Sequence, residues 1–145
     1  MRKIKVIVAF TLLSLLALTL GACRGGGAEF QGIEWQWISL VETQPAFQGL
    51  IPDSENYTIT FLDDENVSLK ADCNMVLATY TVSGSSMTIQ TGPSTLAFCG
   101  EDSQDVFYLG LIDQVVSYEL VQGRLELGLA DDAGTMGFQD GGPAE

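Results

Sequence analysis

Hydrophobic and polar positions along the chain follow two periods. Over most of its length the alternation is every second residue, the mark of strands with one buried face. Residues 33–42 carry Trp35 and Trp37 two apart, on one face of an extended segment. Tyr57, Ile59 and Phe61 alternate with threonines, and Val67, Leu69 and Ala71 follow after the turn Asp63-Asp64-Glu65-Asn66. Tyr80 and Val82 lead into a Ser83-Gly84-Ser85-Ser86 turn, and Met87, Ile89 and Thr91 lead out of it. Val116, Tyr118 and Leu120 precede Gln122-Gly123, a two-residue hairpin turn, and Leu125, Leu127 and Leu129 follow it. Asp131-Asp132-Ala133-Gly134 is a further turn before Met136 and Phe138. Residues 43–55, with Pro45, Gly49 and Pro52, read as an irregular connection.

The period changes once. Val106, Phe107, Leu109, Leu111 and Ile112 are spaced for a helix over 103–113, with Ser103 as a cap and Asp105 at the positive end of the dipole. Its apolar cover is broad, so it is expected to pack on the sheet, with Gly110 weakening it or allowing a close approach. The expected fold is α+β, mainly antiparallel β: a single curved meander sheet with one packed helix over 33–138 and a flexible tail over 139–145.

The first residues follow another logic. Arg2, Lys3 and Lys5 precede an apolar run from Ile4 to Leu20, and Leu20-Gly21-Ala22-Cys23 follows. A basic start, a short apolar stretch and small residues before a cut make an export signal, and a Cys at the cut reads as a bacterial lipobox. Residues 1–22 are read as a lipoprotein signal peptide, Cys23 as the lipidated residue and 23–32 as a Gly-rich tether. A retained membrane span is the alternative, although the run is at the short limit for crossing a bilayer. The protein is thus expected outside the cytoplasm, lipid-anchored in the cell envelope. Which membrane holds it is left open: Arg24, not Asp, follows the anchor.

Charge narrows the partners. Of 145 residues, removal of the signal leaves about 123, with Arg24, Lys70 and Arg124 against nineteen acids. So acidic a monomeric domain has no footprint for nucleic acid, and the lipid must supply the membrane contact. Cys73 and Cys99 remain as an even pair in an oxidising compartment and are expected to form a disulfide, with free thiols as the alternative. A metal site is the poorer reading, since there is no His and two thiols make an incomplete zinc shell.

Ala71-Asp72-Cys73-Asn74, Thr79-Tyr80-Thr81-Val82 with Gly84, Met87-Thr88-Ile89, and Thr95 with Cys99 resemble the META domain family, with its HslJ-like heat-shock lipoprotein group. Ser103, Phe107, Leu111 and Tyr118, then Gly123, Leu125-Glu126-Leu127 and Gly134-Thr135-Met136-Gly137-Phe138, are similar to the closing helix and hairpin of that family. The chain departs from it at Asp72 and Ala78, where many members have Gly. The resemblance implies a small, mostly β fold with one helix, often on a lipoprotein anchor, and no known reaction. Members are associated with envelope stress, antibiotic tolerance and, by fold analogy, secretin pilot lipoproteins.

The side-chain chemistry points the same way. Without His the histidine-dependent triads are missing, and Lys70, in an alternating strand, is expected to face solvent. No carboxylate pair stands out, so the chain is read as no enzyme, with no catalytic residues and no cofactor. The turns at 63–66 and 131–132 are oxygen-rich enough to raise an acidic Ca²⁺-binding module as an alternative, but they lack EF-hand spacing. Asn74 and Thr95 are candidate walls of a ligand groove; the plainer reading of Asn74 is a backbone cap beside the disulfide. Trp35, Trp37, Phe61, Tyr80, Phe98, Phe107 and Tyr118 are read first as core, with the lining of a hydrophobic groove as the alternative. The leading functional expectation is a non-catalytic envelope lipoprotein that binds a protein or small apolar ligand in envelope maintenance or stress response. An assembly or pilot role is the alternative.

Overall fold

The structure, a computed structural model, describes residues 29–144. The signal peptide, Cys23 and most of the tether lie outside the described residues. The strands are β1 (Ile33–Thr43), β2 (Ala46–Leu50), β3 (Tyr57–Phe61), β4 (Asn66–Ala71), β5 (Asn74–Ser83), β6 (Ser86–Ser94), β7 (Val115–Val121), β8 (Arg124–Leu129) and β9 (Gly134–Pro143). One α-helix, α1 (Asp105–Ile112), lies between β6 and β7. Short 3-10 turns cover Ser54–Asn56 and Ala130–Asp132.

Alternation decides which face of each strand turns inward. Trp35, Trp37, Ile59, Phe61, Val67, Leu69, Tyr80, Met87, Leu125, Leu127, Met136 and Phe138 are all buried. Gln122 and Gly123 both take positive φ, 52° and 78°, as a two-residue turn matched to strand twist requires.

The sheet is closed, which corrects the open curved meander expected from the sequence. Neighbouring strands from β3 through β9 pair antiparallel, and β9 returns to pair with β1, with Trp37 opposite Phe138 and Leu40 opposite Met136. Strand β3 takes the other edge of β1 at residues 34–36, so eight strands form a barrel. Alternation reports the buried face of a strand but not whether the first and last strands meet. The seam between β6 and β7 is narrow: Ser86 opposite Ser117, with the Tyr118 N–H donating to the Ser85 carbonyl at 3.0 Å.

Each end of the barrel has its own plug. At one end Phe30 is fully buried, with its ring edge-on to Phe61 at 4.5 Å and Tyr118 at 5.2 Å. Its carbonyl accepts a hydrogen bond from Trp35 Nε1 at 2.9 Å. At the other end α1 inserts Tyr108, Leu111 and Ile112. Tyr108 lies 5.3 Å from the Trp37 ring and donates from Oη to the Thr58 carbonyl at 3.0 Å. The carboxylate of Asp113, just past α1, accepts from Thr91 N (3.2 Å) and Oγ1 (2.9 Å), fastening the helix to β6.

Three boundaries differ from the sequence reading. Within 43–55 the chain forms β2, which pairs with the C-terminal half of β1 after a cis Gln44–Pro45 peptide. Pro and Gly hid a five-residue strand whose pairing comes entirely from β1. Strand β9 runs to Pro143, opposite Ile33, through residues expected to fray; pairing with β1 orders a segment with no apolar pattern. The helix is shorter than expected. Ser103 Oγ accepts from Asp105 N at 3.3 Å, one position ahead of the cap, and Tyr57 Oη accepts from Gln104 N at 3.0 Å.

Candidate functional site

The sequence directs attention first to Cys73, Cys99, Asn74 and Thr95, and the fold brings all four together. Cys73 and Cys99 form a disulfide that ties the start of β5 to the loop between β6 and α1. Asn74 is buried beside it, and its amide is fully occupied. Its Oδ1 accepts from Ala97 N at 2.8 Å and from Thr95 Oγ1 at 3.1 Å, while Nδ2 donates to the Ala97 carbonyl at 3.0 Å and to Asp105 Oδ2 at 3.3 Å. Thr95 Oγ1 in turn accepts from Met75 N at 3.0 Å. Asn74 therefore imitates a backbone unit and holds the loop in register with β5, the role first given to it. Asp72, just before the disulfide, has φ of 58°, which is where many family members carry Gly.

The disulfide loop and α1 crowd the helix end of the barrel with apolar groups that the core does not use. Leu96 is 95 % exposed, Phe98 84 % and Val106 79 %. Phe98 and Phe107, read as core in the sequence, thus turn out of it. The reason is local: Phe98 sits on a loop rather than a strand, and Tyr108 next to Phe107 already fills the barrel mouth. Phe107 instead joins Leu40, Phe47, Gly49, Leu50 and Ile51 around a cleft of about 300 Å³ between β2 and α1, with Glu42 and Gln104 at its polar side. Gly49 permits this surface, because a Cβ there would sit 2.6 Å from the Phe47 ring. Phe47 and Leu50 were not singled out from the sequence. The available signal was an aromatic and a leucine inside a connection otherwise built from turn formers.

A larger groove of about 430 Å³ lies on the outer face of β1, β3 and β4, lined by Glu34, Thr58, Thr60, Ser68 and Lys70, with Leu62 and Met75 as its apolar members, and closed by Gly141 and Pro143. Lys70 does not simply face solvent: Nζ donates to the Glu55 carbonyl at 2.9 Å and to Asn56 Oδ1 at 3.3 Å. Polar groups make up most of these walls and water satisfies them, whereas the β2–α1 cleft is mostly aromatic and aliphatic, which favours a partner that covers it. The apolar cleft is the stronger candidate for binding.

The acidic turns serve the hairpins. Asp63 Oδ1 accepts from Glu65 N (2.8 Å) and Asn66 N (2.7 Å), and both carboxylate oxygens accept from Asn66 Nδ2. The Asn66 side chain first, then these N–H groups, hold the Asp63 carboxyl below its ordinary range. Among the described residues no three His, Cys, Asp or Glu side chains converge as a metal site. Nor, among them, is any helix long and apolar enough to cross a membrane.

A small antiparallel barrel, plugged by an aromatic side chain at one end and a helix at the other, with its exposed apolar surface at the helix end, defines the class of protein. The chain belongs to the META domain family, whose model matches residues 28–140. No curated protein matches it. Two solved structures share the fold at low identity. One is the NMR structure of a protein from Burkholderia xenovorans, at TM-score 0.58 and 14 % identity, covering 77 % of this chain and 83 % of that one. The other is the crystal structure of a DUF4847 family protein from Bacteroides vulgatus ATCC 8482, at TM-score 0.58 and 10 % identity, covering 81 % and 97 %.

Proposed function

We propose that this protein is a non-catalytic cell-envelope lipoprotein that binds a protein or small apolar ligand on the helix end of its barrel, in envelope maintenance or stress response. The observation that carries the reading is the cleft between β2 and α1, with Phe47, Leu50 and Phe107 exposed around it. Two further features support it. The sequence holds no His, and its most buried polar side chain near the disulfide, Asn74, is committed to the loop. The described chain also begins at the opposite end, beside the Phe30 plug. Residues 24–29 separate Cys23 from the Phe30 plug, a reach of about 20 Å when extended. A lipid on Cys23 would hold the Phe30 end near the membrane and turn the helix end away from it.

The test is Nile red, a neutral apolar dye, titrated into the purified domain. Saturable binding, lost in Phe107→Ser and Leu50→Ser while the melting temperature holds, is the expected result. Equal binding by both variants would contradict the assignment of the cleft. Turnover of a substrate that one acid-to-amide change abolishes would contradict the non-catalytic reading.

A further inference from the structure

Strand β2 offers more than an apolar wall. In its ladder with β1 the N–H of Ile51 donates to the Ile38 carbonyl at 3.0 Å, which makes Ile38 and Ile51 a hydrogen-bonded pair. Antiparallel pairs alternate, so Leu40–Gly49 and Glu42–Phe47 are the next hydrogen-bonded pairs along the register. The intervening residues of β1 turn their backbone groups the other way, toward β9, as the Thr43 N–H to Ala133 carbonyl bond at 3.0 Å confirms. By the same alternation Gln48 and Leu50 of β2 direct their N–H and C=O away from β1. Strand β2 ends the order of strands: β1 is its sole pairing partner among the described residues. An unpaired edge in an otherwise closed barrel is a template for another strand.

The surroundings say what kind of strand fits. Phe47 and Gly49 face the cleft shared with Phe107, so a segment added to β2 would direct alternate side chains toward an apolar pocket. Two carboxylates lie near β2. Glu42 lines the cleft and Asp53 follows three residues after Leu50. At the turn end of the β1–β2 hairpin Thr43 Oγ1 donates to the Asp132 carbonyl, which places the acidic turn Asp131–Asp132 across β1 from β2. The one lysine of the described chain, Lys70, is turned to Glu55 O and Asn56 Oδ1.

We infer that the free edge of β2 receives an extended polypeptide segment of a partner, by strand addition, with apolar residues alternating toward the Phe47–Phe107 cleft and Lys or Arg flanking them. This rests on the helix end being the binding surface and specifies its partner and mode.

The test selects peptides from a displayed random library against the purified domain, then follows amide hydrogen exchange with the tightest one bound. The expected peptides alternate apolar with basic residues, and the Gln48 and Leu50 amides slow by about tenfold or more. Gln48→Pro removes an outward N–H without touching the β1 ladder, so it is expected to weaken binding about tenfold with an unchanged melting temperature. Phe47→Ser, which keeps the edge and loses the pocket, is the second variant and is expected to weaken binding as well. Peptides that shift Phe107 but leave the β2 amides unprotected would overturn strand addition and keep the surface. Absence of any selected peptide, or selected peptides with helical spacing, would overturn the proposal.

Discussion

Tyr108 is the residue on which the helix end turns. Its ring is sealed between Trp37 and Tyr57 and its hydroxyl donates to Thr58. Burial pushes this phenol far above its ordinary value of 10.0, and burial also raises Tyr80. The folded form therefore keeps protons that the unfolded chain releases near pH 10. Stability is full below that pH and falls as pH rises beyond it. Denaturant melts between pH 8 and 11 are expected to show this loss, and Tyr108→Phe to remove most of it at a cost of about 1–2 kcal/mol at neutral pH. Asp72 carries a smaller burden: its φ of 58° strains a side-chain-bearing residue, so Asp72→Gly should raise stability by about 1 kcal/mol in chemical denaturation. The sequence made Asp72 visible as a departure from the family's Gly, and the positive φ supplies the reason for that Gly. It made Asn74 visible too, but its four partners come from the loop and α1, which no local pattern links to it.

At the scale of elements, the strands were legible and the surroundings of the helix less so. Alternation marks β3, β4 and β8 because each turns its apolar face to the barrel interior, although in β3 the threonines of the other face, Thr58 and Thr60, are buried as well. Strand β2 escaped because its hydrogen bonds come from β1 and its apolar groups stay exposed. In α1, Tyr108, Leu111 and Ile112 face inward while Val106 and Phe107 do not, and a helix apolar on nearly every side gives no clue to which side is covered. Gly110 was expected to weaken α1 or admit a close neighbour. Nothing lies near the position of its missing Cβ, so Gly110→Ala should stabilise the domain by about 0.5–1 kcal/mol, read as a higher melting temperature. The disulfide pins the loop before α1 to β5. Its removal by Cys73→Ala with Cys99→Ala is expected to cost about 3 kcal/mol on the chain-entropy estimate, measured by chemical denaturation.

For the whole molecule the barrel sets a direction. Phe30, at the start of the described chain, closes one end, and α1 closes the end where Phe98, Val106 and Phe107 meet water. Phe30→Ala would empty the first end, at an expected cost of about 3–5 kcal/mol in the same denaturation experiment. Closure itself was hidden from the sequence, since the pairing of β1 with β9 joins residues about a hundred positions apart. On the proposed strand addition, the strongly acidic net charge of the chain favours a basic partner at the apolar helix end. The central claim is that this end does the binding. A photo-reactive residue placed at Phe107, and in a second protein at Lys70 beside the polar groove, tests it in native membranes, with Cys23→Ser as the unanchored control. The account predicts one recurrent cross-linked product from position 107 that is lost in the Cys23→Ser protein and missing from position 70. Products from position 70 alone, or equal products from both positions, would contradict it.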